Sequence, residues 1–141
     1  MNRAERLAAI IADRIGREGP LLPILHAVQH AFGCIDREAE AVVAEALNLS
    51  RAEVHGVVSF YADFRDAPDL RPEVQLCRAE ACQARGADAL LPAPSAAAGD
   101  RVRLSPVYCL GLCSVGPAAR RGDDVFARLD AASVIKLIEE A

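Results

Sequence analysis

The sequence predicts an α+β chain in two parts: a small helical bundle over residues 1–65 and an α/β unit over residues 74–141, joined by a linker at 66–73. Three observations carry that division. Apolar residues recur with helical period almost without a break to about residue 64. "RDAPDLRPE" then brings two prolines and alternating charges, and the period stops. Beyond it, short strand-like runs alternate with helical ones, the pattern of a small α/β unit.

The helices follow in order. Leu7, Ile10, Ile11 and Ile15 fall on one face of a first helix, which "REGP" ends through Gly19 and Pro20. A second runs from Leu21 to Phe32, with Pro23 tolerable in its first turn and Gly33 placed to stop it. Asp36 caps a third, in which Ala39, Val42, Val43, Ala46 and Leu47 form the expected core stripe. In "SRAE" the Ser50 hydroxyl can accept from the amide three residues on while Glu53 reaches back, a capping box that opens a fourth helix. Val54, Val57, Val58 and Tyr61 line that helix. Four short helices with short links make a bundle.

In the second part, "EVQLCRA" is a strand, "ACQARGADALL" a helix, "PAPSAAAGD" an irregular connection and "RVRLSPVYC" a second strand. "PAARRGDDVFARLD" reads as a hairpin turning at Gly122-Asp123, and Asp130 caps a last helix carrying Val134, Leu137 and Ile138.

Composition narrows the function. Aromatics are 4% and tryptophan is absent, so the core must come from Leu, Ile, Val and Ala. A net charge of −4 without blocks of like charge points to neither nucleic acid nor an anionic membrane. Glu5, Asp13 and Glu18 interrupt the opening segment, unlike a targeting peptide, and no run of eighteen apolar residues occurs. The chain reads as soluble and cytoplasmic. No nucleophile–base pair, phosphate loop or dinucleotide fingerprint is visible, so the expectation is a chain without catalytic residues of its own.

The five cysteines are the chemically informative residues. In a reducing compartment, and with an odd count, they do not suggest a disulfide framework. Cys77 and Cys82 are separated by four residues, Cys109 and Cys113 by three. Each pair begins where a predicted strand ends. Adjacent strands lie about 4.8 Å apart, so the two loops can converge on a four-thiolate site. Glycines in "CLGLC" and "SVGP" would let backbone come close and donate N–H to sulfur. A redox dithiol would want C-x-x-C, which neither pair has. Spacing favours a 2Fe–2S cluster over zinc, and leaves unrelated packing as a third reading. Cys34 stands alone and reads as a small buried hydrophobe. His26 and His30, four apart on the second helix, could share a metal but lack a third ligand, and they read as ordinary histidines, as does His55.

The segments "LLPILHAVQHAFGCI", "LNLSRAEVHGVVSFYADF", "LCRAEACQARGA", "CLGLCSVGP" and "VFARLD", in that order, resemble the thioredoxin-like 2Fe–2S ferredoxins. That family includes the small two-iron subunit of respiratory complex I and its relatives in NAD-reducing hydrogenases and NAD-dependent formate dehydrogenases. The resemblance implies a helical bundle followed by a thioredoxin-like ferredoxin domain, with Cys77, Cys82, Cys109 and Cys113 holding one 2Fe–2S cluster. It implies an electron-transfer subunit beside a flavin subunit that binds FMN and NAD, and a large catalytic subunit. The bundle near "VVSFYADF" would be the docking surface. "LCRAEACQARGA" looks most like the gamma subunit of soluble NAD-dependent formate dehydrogenase. The equivalent complex I or hydrogenase subunit, or a zinc-stapled interaction module, is the alternative. The 26 residues between Cys82 and Cys109 are fewer than is usual in the family, so a shortened strand or helix is expected there. Arg78 and Arg85 are candidates for stabilising a reduced cluster, against a reading as solvated surface arginines.

Overall fold

The computed structural model describes residues 1–141, which divide into two compact units, Met1–Asp69 and Leu70–Ala141. Each has its own core. The chain is α+β, with eight α-helices and one four-stranded mixed sheet.

In the first unit, helix α1 spans Arg3–Ala12, α2 Leu21–Phe32, α3 Arg37–Leu47 and α4 Arg51–Phe60. Capping residues set the starts of α1, α3 and α4. Asn2 and Glu5 form a capping box on α1, Asp36 accepts from the Ala39 N–H, and Ser50 and Glu53 form the second box. Gly33 ends α2 at φ 80°, a conformation that costs a glycine little. Leu7, Ile11, Ile24, Leu25, Val28, Ile35, Val43 and Val54 close the core between the four helices.

Two expectations in this unit need correction. Helix α1 stops at Ala12, well before Gly19, and Ile15 lies beyond it, 45% exposed. The Ile11 carbonyl accepts from both Arg14 and Ile15 N–H, which tightens the chain into turns there. The buried face of α3 is also rotated from the predicted stripe. Ala39, Glu40, Val43 and Ala44 point inward, while Val42 and Ala46 are exposed. Glu40 can be buried because its carboxylate meets His55 Nδ1 of α4 at 3.0 Å.

Only bends and turns connect Tyr61 to Pro72. The second unit then runs β1 Glu73–Cys77, α5 Glu80–Ala84, α6 Ala87–Leu90, α7 Pro92–Ala98 and β2 Arg103–Val107. A 3-10 turn at Cys113–Val115 precedes β3 Ala119–Arg121, β4 Asp124–Phe126 and α8 Ala131–Glu139. The sheet order is β2-β1-β3-β4, with β1 parallel to β2, antiparallel to β3, and β3 antiparallel to β4. The hairpin turns at Gly122-Asp123 as predicted.

As a central strand, β1 is buried along almost its whole length. Its alternation sends Val74 and Leu76 into a core with Ala98, Val102, Val134, Leu137 and Ile138. Cys77 belongs to a different, smaller apolar cluster, with Cys82, Ala87 and Ala118.

The interval between the cysteine pairs also departs from expectation. "ACQARGADALL" is not one helix: Gly86, at φ 90°, divides it into α5 and α6. "PAPSAAAGD" is not irregular, since it contains α7. Pro92 and Pro94 both fall in the first turn of α7, where a missing N–H removes no helical hydrogen bond, and the three alanines at its end favour the rest. The interval is compact, but it keeps helical cover over the sheet.

Candidate metal centre

The two cysteine pairs meet at the carboxyl ends of neighbouring parallel strands. Cys77 is the last residue of β1 and pairs in register with Val107, the last residue of β2. The Cys77 N–H donates to the Ala118 carbonyl at 2.8 Å, and the Arg78 N–H to the Val107 carbonyl at 2.8 Å. These bonds stitch β1 to both neighbours at the point where the first thiol projects. Cys82 is carried back by α5, whose entry is held by the Gln83 amide donating to the Arg78 carbonyl at 2.6 Å.

The second pair sits on the loop after β2. Cys109 has φ 83°, sparsely populated for a residue with a Cβ, and Gly111 follows at φ 77°. This tight path brings Cys109 Sγ within 3.6 Å of Cys113 Sγ and lets the Gly111 N–H approach Cys109 Sγ at 3.4 Å. The loop is tied down where it rejoins the sheet: Arg128 N–H donates to the Val115 carbonyl and Leu129 N–H to that of Pro117.

Burial separates the pairs. Cys77 and Cys82 are 1% and 2% exposed, whereas Cys109 and Cys113 are exposed to solvent. Leu110, Leu112 and Val107 pack against the buried pair and lower its dielectric surroundings.

The thiols feel one another. Burial pushes Cys77 up, but N–H groups of Ala79, Cys109 and Leu110 and the Cys82 thiol together leave it below the ordinary thiol value. Cys82 is raised, first by burial and then by Cys77, although the Ala118 N–H acts the other way. Cys113 is raised by its hydrogen bond with Cys109, and the charge of Cys77 also reaches it. So two adjacent thiol pairs share one electrostatic neighbourhood.

Gly116 closes the site in a way the sequence hinted at only generically. A Cβ there would lie 2.9 Å from Cys82 Sγ and 3.4 Å from the Arg85 Cδ. The glycine in "SVGP" is therefore required by close approach, and the one in "CLGLC" by its positive φ.

This donor set fits a dinuclear cluster. Four thiols without disulfides are available, in two adjacent pairs, and each iron of a 2Fe–2S centre takes two protein ligands. The Gly111 N–H already points at Cys109 Sγ, and main-chain N–H groups near Cys77 and Cys82 favour their thiolate forms.

The remaining candidates lie elsewhere. Cys34 is buried in the first unit, and burial raises its thiol. His26 and His30 are exposed on α2, with the His26 ring centroid 4.9 Å from that of Phe64. His55 is held by Glu40, a partnership that sequence reading missed. Arg78 pairs with Asp88 at 3.0 Å, while Arg85 is exposed beside Cys82.

A sheet whose parallel strands deliver two thiol pairs to one edge suits a thiolate-bound metal centre rather than a dithiol enzyme. Residues 7–141 match the family model described as thioredoxin-like [2Fe-2S] ferredoxin, and the chain belongs to that family. It is 31% identical over 148 residues to an NADH-quinone oxidoreductase subunit of Rhizobium meliloti (strain 1021), covering 99% of this chain and 88% of the relative. It is 29% identical over 133 residues to the NADP-reducing hydrogenase subunit HndA of Solidesulfovibrio fructosivorans, covering 88% and 78%. Among solved structures, an NAD+-reducing [NiFe]-hydrogenase in the H2-reduced state superposes with TM-score 0.64 and 29% identity. That match covers 85% of this chain but only 22% of the solved chain. No helix here is long and apolar enough to cross a membrane.

Proposed function

We propose that the chain is a one-electron carrier whose Cys77, Cys82, Cys109 and Cys113 hold a single 2Fe–2S cluster. The observation that carries this is the pairing of four thiols at one sheet edge, with the Gly111 N–H aimed at Cys109 Sγ. When bound, such a cluster accepts and releases one electron, its charge with four thiolates alternating between −2 and −3. The protein's part is to hold that charge. N–H groups of Ala79, Cys109, Leu110, Ala118 and Gly111 supply fixed partial positive charge to sulfur. Val107, Leu110 and Leu112 exclude water from the Cys77–Cys82 side, and Cys109 and Cys113 face solvent, where a partner's redox group can approach.

The partners follow from the company the family keeps. The relatives are named as subunits of NADH-quinone oxidoreductase and of an NADP-reducing hydrogenase. This supports a place in a hetero-oligomeric, nicotinamide-linked oxidoreductase, next to a subunit carrying FMN and NAD and a large catalytic subunit. The exposed Phe60 and Tyr61, ring centroids 5.2 Å apart at the end of α4, support docking through the first unit. Arg78–Ala81, between the first two cysteines, supports a formate dehydrogenase as the parent complex. Purification from the native source with its partners tests this: formate-dependent NAD reduction by the complex is expected, and hydrogen- or quinone-linked activity instead would move the chain to another branch.

The cluster itself is tested by anaerobic purification, iron, sulfide and zinc analysis, and EPR after dithionite. Equal iron and sulfide with a reduced-state signal is expected. Stoichiometric zinc without sulfide would make this a zinc-stapled module. Cys34→Ser should keep the cluster, and serine at any of the other four should weaken or abolish it; cluster loss in Cys34→Ser would overturn the ligand assignment.

A further inference from the structure

Reduction of a four-thiolate 2Fe–2S centre adds one negative charge, so a nearby cation favours the reduced form in proportion to its proximity and its freedom from counter-charge. The sequence offers two arginines beside the first cysteine pair, Arg78 and Arg85. The structure makes them unlike.

Arg78 is committed elsewhere. Its Nε meets Asp88 Oδ1 at 3.0 Å, and this pair presents almost no net charge to a group several ångströms off. Arg85 ends α5 one turn after Cys82, with its N–H donating to the Cys82 carbonyl at 3.2 Å, and no carboxylate pairs with it. Its stem crosses the point of closest approach in the site. Arg85 Cδ is 3.4 Å, and Cys82 Sγ 2.9 Å, from the position a Cβ would take on Gly116. Those two legs add to 6.3 Å, the greatest separation Cδ and Sγ can have. The guanidinium begins one bond beyond Cδ.

We infer that Arg85 is a positioning charge for the electron: an unpaired cation whose stem passes Gly116 beside Cys82, and which raises the reduction potential of the cluster, while the Arg78–Asp88 pair contributes little. The inference rests on the ligand assignment proposed above.

The test is the reduction potential of the cluster-loaded full chain, followed by EPR during mediated titration at low salt and at about 1 M salt. The variants are Arg85→Gln, Arg85→Lys and the double variant Arg78→Gln/Asp88→Asn. At low salt, Arg85→Gln should lower the equilibrium constant for reduction about threefold, a fall of about 28 mV at 59 mV per tenfold for one electron. The difference should shrink at about 1 M salt, where the screening length drops to about 3 Å. Arg85→Lys should keep the wild-type potential, and the double variant should stay close to it. A potential unchanged in Arg85→Gln, a shift indifferent to salt, failure of lysine to substitute, or an equal shift in the double variant would each overturn the inference. Absence of sulfide in the wild-type protein would instead overturn the proposed function, a result that iron and sulfide analysis reads before any titration begins.

Discussion

Gly116→Ala isolates the tightest steric demand of the site. The native residue has φ −65° and ψ 169°, which alanine adopts freely and which a residue before proline prefers, so backbone strain is not at issue. Space is. The added Cβ would stand 2.9 Å from Cys82 Sγ, where ordinary contact begins at 3.4 Å, and Cys82 is 2% exposed on a short side chain with nowhere to swing. Sulfur or loop must retreat by at least about 0.5 Å, the difference between those two distances. Overpacking of that kind costs about 1–3 kcal/mol. Reduced freedom of the unfolded chain returns about 0.4–1 kcal/mol. The net expectation is a loss of about 1–2 kcal/mol in urea denaturation of the cluster-free chain, with a lowered yield or altered EPR line shape of the loaded one. Gly56→Ala is the matching control. Gly56 lies inside α4 with nothing within 4 Å of its Cβ position, and alanine there should stabilise by up to about 1 kcal/mol. A Gly116→Ala chain as stable as wild type, with an unchanged cluster signal, would refute the close-approach argument.

Other expectations concern the bundle. Asp36→Ala removes the cap on the Ala39 N–H and the 2.6 Å pair with Arg3, and should cost about 1–2 kcal/mol in denaturation at neutral pH. The hydrogen bond from Ala39 holds the Asp36 carboxyl below its usual range, with Arg3 assisting against burial. A depressed folded value means the contribution is full above the ordinary carboxylate range and is lost as pH falls through the folded value; the gap between wild type and variant should therefore close in acid. A gap that persists unchanged in acid would refute it. His55→Ala withdraws the partner of the buried Glu40 carboxylate and should cost about 1 kcal/mol, although His55 itself is largely exposed. Stability equal to wild type would show that water replaces the imidazole.

What could be read from the chain alone was whatever is decided within a few residues. Gly33, Asp36 and the Ser50–Glu53 box act on their own neighbours, so the limits of α2 and the starts of α3 and α4 were legible. So was the Gly122-Asp123 turn, where φ at Gly122 is 59°. The cysteine spacings were legible for a different reason, because strand ends and loop lengths determine where thiols can point. What failed depended on distance. The buried face of α3 turns on His55, fifteen residues from Glu40, and an apolar-stripe argument counts a carboxylate as outward-facing. Helix α7 was misread because prolines and alanines resemble a loop unless both prolines are seen to fall in a first turn. The positive φ of Cys109 left no trace, since nothing local asks a cysteine to adopt it.

The unequal burial of the two thiol pairs allows ligand loss to be told apart from fold loss. Cys77 and Cys82 belong to an apolar cluster with Ala87 and Ala118, so serine at either buries a hydroxyl and should cost about 1–3 kcal/mol even without a cluster. Cys109 and Cys113 are exposed, and serine keeps the size and the backbone demands of the residue it replaces. Surface changes of that sort stay within about 0.5 kcal/mol. Urea denaturation of cluster-free Cys109→Ser and Cys113→Ser should therefore overlay wild type, while their loaded forms show depleted iron and sulfide. Cluster loss in those two variants would then report on coordination alone, which serine at Cys77 or Cys82 cannot do. If the exposed-pair variants lose as much cluster-free stability as Cys77→Ser, the loop after β2 is a structural element in its own right, and the division between a buried anchoring pair and an exposed exchanging pair is wrong.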